Sequence, residues 1–229
     1  MVEMKIISVS RGFTADHSST SYEFLAVDRP LNAAQREAVS SLSSRCSPGP
    51  RRVNFVYGVD GYDIPGGWLP LLKGYYDVMY SESYDWWMLV MAFPTTMEEG
   101  KMLERYEFSD INELGTRVFA GDKRTIVAVH CRLSSLALFN NDGDYYEEMV
   151  DGEDEGDPAG AGGDRLLRLL VKIREQLMDG DYRSLYAVWK VYGEAEIDDE
   201  EELMAPPKPP DQEKGADIVE EFFSLLESI

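Results

Sequence analysis

The stretch "GFTADHSSTSYEF", Gly12 to Phe24, sets His17 among hydroxyls at Ser18, Ser19 and Thr20. A histidine beside serines suggests nucleophilic catalysis, which needs a positioned base and an oxyanion hole. The pattern lacks the G-x-S-x-G elbow, and adjacent side chains on an extended chain point apart. The reading adopted is a connection between strands, with Asp16, Ser18, Ser19 and Thr20 holding backbone N–H groups. No catalytic residue is assigned.

Metal ligation has four soft or borderline candidates, His17, His130, Cys46 and Cys131. None are at ligand spacing, and His130 and Cys131, adjacent on a strand, face opposite sides. "NNDGDYYEE" and "DGEDEGD" lack the EF-hand order. "VDGYDIPGGW" has glycines but neither phosphate-binding pattern. Its Asp60 and Asp63 could pair as carboxylates, but both sit beside turn-forming residues and read as a solvated loop. Trp68, Trp86, Trp87 and the tyrosines of 75–84 read as core. No metal and no cofactor is expected.

The elements that would position these groups run β-β-α-β-α-β-α-β-β. "MKIISVSRGF" is strand-like. "SYEFLAVD" has apolar residues on both faces, as a central strand does. "RPLNAAQREAVSSLSSR" is a helix with Asn32 as cap, ended by "CSPGP". "RRVNFVYG" alternates as a strand. "LPLLKGYYDVMYSES" reads as a helix weakened by Gly74. "WWMLVMAFP" is a buried strand, and "TTMEEGKMLERYEF" a short helix with a capping box from Thr95 or Thr96 to Glu98 or Glu99. "TRVFAG" and "TIVAVHCRL" flank Gly121-Asp122 as a hairpin. Two helices follow. The first, from a cap at Asp164, carries Leu166, Leu169, Leu170, Ile173 and Leu177 on one stripe. The second carries Tyr182, Leu185, Tyr186 and Trp189.

Alternating strands and helices imply an α/β class, with α+β as alternative: a mixed β-sheet covered by helices. The 229 residues divide into one mixed α/β domain over 1–193, an acidic Pro-rich linker over 194–215 and an amphipathic helix over 216–229.

Charge sharpens that division. The net charge is -21. Asp142–Gly163 holds nine acids and no Lys or Arg, and Glu194–Ile229 thirteen acids and two lysines. The remainder is nearly neutral, with 21 acids against 20 bases. Such blocks read as a flexible, disordered insertion at about 142–163 and a solvated linker. Direct nucleic-acid binding is not expected, because clustered cations are lacking. No apolar run approaches the roughly 18 residues of a membrane span. With no signal-like start and no CxxC, the chain reads as cytoplasmic with reduced thiols.

"SYEFLAVDRPL", "SLSSR" and "GDYRSLYAVW" together resemble a family of uncharacterised prokaryotic proteins. In it a YEFLAVDRPL-like strand opens the chain and a GD-x-R-x-LY-like helix closes it. The resemblance covers roughly Met1 to Gly193 and implies one body with an appendage; it implies no activity.

The last helix is the strongest lead to a partner. Ile218, Val219, Phe222, Phe223, Leu225, Leu226 and Ile229 form one apolar stripe. A helix this short is marginal alone, so it folds back on its own body or docks in a partner's basic or apolar groove, or in a second copy. The linker of about twenty residues reaches roughly 25 Å, enough for either. The expected function is therefore a non-enzymatic interaction or regulatory protein. The alternatives are an acidic nucleic-acid mimic that inhibits a DNA- or RNA-binding protein, and an enzyme with its site between the "DHSST" and "VDGYDIPGGW" loops.

Overall fold

The computed structural model describes residues 20–44, 46–57, 64–134, 165–194 and 205–228. Seven strands and six helices follow one another in these residues. They are β1 (Thr20–Leu25), α1 (Ala33–Ser40), β2 (Arg52–Tyr57), α2 (Leu69–Gly74), β3 (Val78–Ser83), β4 (Trp86–Pro94), α3 (Met97–Glu104), β5 (Phe108–Ser109), β6 (Gly115–Phe119) and β7 (Arg124–Arg132). Three helices then follow: α4 (Arg165–Met178), α5 (Arg183–Tyr192) and α6 (Ala216–Leu226).

The strands form one sheet in the order β2-β1-β3-β4-β7-β6-β5. The α/β class and the helix-covered sheet stand as expected; every strand pairing is antiparallel. β1 is central, between β2 and β3, as its two apolar faces require. β4 buries residues on both faces, which is why its sequence runs apolar without alternation.

The two faces hold separate cores. Leu25, Val78, Leu89, Met91, Val127 and Val129 pack with α4, α5 and α6. Phe24, Phe55, Tyr76, Val90 and Ala128 pack on the opposite face with α1 and α2. On α4 all five stripe residues are buried, each contributing about 1.5–3 kcal/mol.

Local signals set several boundaries. Asn32 caps α1 in a capping box with Gln35, and Thr96 caps α3 with Glu99. β6 and β7 form the expected hairpin, Phe119 opposite Ile126. One expectation fails: residues 69–83 are not one helix. α2 stops at Gly74 and β3 begins at Val78. "YYDVMYSES" fits period 2 as well as period 3.6, and pairing of Val78 with both Leu25 and Met91 decides for the strand. The strand-like "MKIISVSRGF", Met4–Phe13, and the cap at Asp164 lie outside the described residues.

α6 lies against its own body. Phe222, Leu225 and Leu226 are buried in the core beneath α4 and α5; Ile218, Val219 and Phe223 are half-buried. Ile229 lies outside the described residues.

Candidate functional site

The antiparallel sheet has two ends with different chemistry. At one end β1, β4 and α4 finish while β3 and β7 begin, and four charges meet there. Asp77, 4% exposed, accepts on Oδ2 from the N–H groups of Val27 at 2.7 Å and Asp28 at 3.0 Å. Its Oδ1 accepts from Arg124 Nη2 at 2.6 Å. The same Arg124 nitrogen donates to the Tyr76 carbonyl at 2.7 Å. Arg174, 2% exposed, donates from Nε to the Ala92 carbonyl at 2.8 Å. Its Nη2 donates to both oxygens of Asp28, at 2.8 and 2.7 Å.

Two aspartates and two arginines make this cluster neutral, and all four carboxylate oxygens accept hydrogen bonds. A buried charge survives only when so matched. The arrangement ties the exit of β1 to β3, β4, β7 and α4; it offers no free base or nucleophile. Beside it Phe93, Pro94, Thr95, Leu177 and Tyr182 line a cavity of about 30 Å³. That space suits a water or so, whereas small-molecule sites run to roughly 300–1,000 Å³.

The sequence carried a signal for Arg174 that periodicity alone passes over. It lies four residues after Leu170 and three before Leu177, on the buried stripe itself. Asp77 is likewise an acid inside an apolar run.

The opposite end carries the loops. Thr20 is directly opposite Tyr57, so the "DHSST" and "VDGYDIPGGW" segments attach to neighbouring strands. His17, Asp60 and Asp63 themselves lie outside the described residues. His130, half-buried on β7 across from Gly115, has its pKa lowered to about 4, chiefly by burial and then by the Arg117 charge. It is neutral at pH 7. Cys131 faces the other core, its thiol pushed up by burial. Cys46 is raised for the same reason and donates to the Ser43 carbonyl at 3.3 Å. Both cysteines are free and buried. Among the described residues no group of three His, Cys, Asp or Glu could hold a metal ion.

The aromatic residues divide similarly. Trp87 and Tyr76 are core, and Trp68 packs edge-on against Phe119. Trp86 is half-buried beneath the Arg132 guanidinium, 5.4 Å away, and Tyr84, at the β3–β4 turn, is exposed.

The acidic segments are rooted at this loop end too. Ser134 follows β7, and its N–H donates to Ser228 Oγ at 3.4 Å. α4 starts from this end, because Arg174, nine residues on, has reached the other. α5 returns, so that Tyr192 Oη accepts from the Arg132 N–H at 3.3 Å immediately before Gly193. The stems of 135–164 and the start of 195–204 therefore share one end of the sheet.

No protein-family model matches the chain, and no curated protein or solved structure is similar to it. Among the described residues no helix is long and apolar enough to cross a membrane.

Proposed function

We propose that this protein is a non-enzymatic interaction protein that engages a basic partner protein through its acidic segments. The observation that carries the reading is the placement of those segments. Residues 142–163, with nine acids and no Lys or Arg, and residues 194–202, with seven acids and none, depart from one end of a nearly neutral body. Acid that leaves the body at that end steers a basic surface toward it, while the C-terminal segment rejoins the body at the other end, at Gln176 and Arg183. The charge-matched ion cluster, its four carboxylate oxygens all filled, and the small cavity at the other end fit a scaffold rather than a reaction centre. A cytoplasmic setting suits two free thiols.

The test is made on the full chain. Deleting Glu194 onward would remove Phe222, Leu225 and Leu226 from the core, so the acids are neutralised instead: Asp to Asn and Glu to Gln within 142–163 and 194–202. Affinity capture from host lysate at low and high salt is compared for the two proteins. The expected result is a stoichiometric basic protein held by the parent at low salt, released at high salt and lost with the neutralised chain. Retention indifferent to both changes ends the proposal. Displacement of the partner by duplex DNA would turn the reading into mimicry of nucleic acid.

A further inference from the structure

The C-terminal segment before α6 is gripped by side chains that read its backbone. Tyr106 Oη donates to the Pro207 carbonyl at 2.8 Å. Arg183 donates to the carbonyls of Gln212 at 2.5 Å and Lys214 at 2.6 Å. Gln176 Nε2 donates to the Gly215 carbonyl at 2.9 Å.

These donors are themselves held in place. Asp181 fixes the Arg183 guanidinium through two bonds, of 2.9 and 2.8 Å. Gln176 Oε1 accepts from Ser184 Oγ at 3.2 Å. Tyr106 packs on Tyr182, ring centroids 5.4 Å apart. Pro206, preceding the first gripped carbonyl, is buried. Gly215 has φ 71°, and a Cβ there would run into the Gln176 amide. A proline-rich segment, "PPKPP", bonded by a tyrosine hydroxyl and followed by an amphipathic helix in a groove, combines two recurring modes of peptide recognition.

We infer that the surface formed by Tyr106, Gln176, Arg183 and the α4–α5 groove is a polypeptide-binding site. It is filled here by residues 206–228 of the same chain, and the same segment of a second copy fits it. Three observations favour that occupant. The contacts named above go to main-chain carbonyls, and the side-chain pairs of Lys214 with Asp179 and Glu221 with Arg165 are carried by the same segment, so a second copy presenting it satisfies them all. The segment is joined to the rest through 195–205, eleven residues that at full extension span about 35 Å, more than twice the length of the ten-residue α5. The seven acids of 194–202 repel one another, which favours a long reach over a compact return. Exchange of such an element between protomers makes no new contact and loses none.

The test uses the full chain with a protease site replacing residues 197–202. After cleavage, the fragment from 205 is expected to stay with the body through gel filtration. A labelled synthetic peptide of residues 205–229 then displaces it saturably. The same peptide carrying Phe222→Ala binds at least tenfold more weakly, and a Tyr106→Phe body loses about fivefold in affinity. The unmodified chain, with residues 194–202 intact, forms a concentration-dependent dimer that the free peptide dissolves. A fragment that never exchanges, or that leaves with irreversible unfolding, overturns the binding site. An unmodified chain that remains monomeric at the highest concentration reached overturns exchange between copies. Since neither readout involves the acidic partner, this outcome is independent of the lysate capture.

Discussion

The two ends of the sheet solve the problem of polar groups inside an α/β body in opposite ways. At the ion-pair end, Asp77 and Arg174 are almost fully buried, and the four oxygens of Asp28 and Asp77 are filled by backbone or guanidinium donors. Arg124 Nε there is buried without a partner among the described residues, and in the half toward the loops so are Ser81 Oγ, Trp87 Nε1 and Thr116 Oγ1. Chain segments leave the described body there, and the acidic blocks are rooted there. A network of matched buried charges fastens elements that are distant in sequence; a half where several neutral polar groups lack partners tolerates change and is the place for contact with other molecules.

The largest effect expected from this contrast is at Asp77. Asp77→Ala strips a carboxylate from Arg124 and from two backbone N–H groups, and costs roughly 3–5 kcal/mol in urea unfolding. Asp28→Ala costs clearly less, because Asp28 is 41% exposed and water can replace it at the rim. Equal losses for the two variants would break the picture of a network centred on Asp77.

Between about pH 6.5 and 4, acid should act from the loop half through His130. The pKa of His130 is depressed to about 4 in the fold against 6.5 when free, so the unfolded chain takes up the proton first. Stability from neutral His130 is complete above about pH 6.5 and is lost as pH falls toward 4, by about 3 kcal/mol. Arg117 works in the same direction as burial, and Glu113 opposes them. In a His130→Gln variant the unfolding free energy should flatten across that interval. An unchanged slope would assign the acid limb to other groups.

Ser81→Ala supplies the smallest effect and the sharpest contrast with Asp77. Removing a buried hydroxyl that lacks a partner should change stability by no more than about 0.5 kcal/mol, in the stabilising direction. A loss above about 1 kcal/mol in thermal unfolding would show that a residue outside the described ones binds this hydroxyl.

Much of the local structure was legible in advance. Asn32 and Thr96 announced two helix starts through side chains that reach only three residues along the chain. Gly121-Asp122 announced the β6–β7 hairpin, and the leucines of α4 announced its buried face. The ion cluster was not legible, because Arg174 and Asp28 are 146 residues apart in sequence. Neither was the clasp on the tail: Tyr106 meets Pro207 across 101 residues. The stripe of α6 said that the helix must be buried, without saying against what. Phe222 and Leu226 answer that by joining the α4–α5 core.

Composition and short-range pattern thus sufficed for the α/β class, the caps, the hairpin and the concentration of acid into two segments. These depend on propensity, periodicity and charge, all properties of neighbouring residues. Strand order, the division of residues 69–83 into α2 and β3, the buried charges and the docking of α6 were decided by tertiary structure. Each depends on which distant surfaces meet, and a buried Arg or an apolar stripe has a defined energy only once its partner is in place.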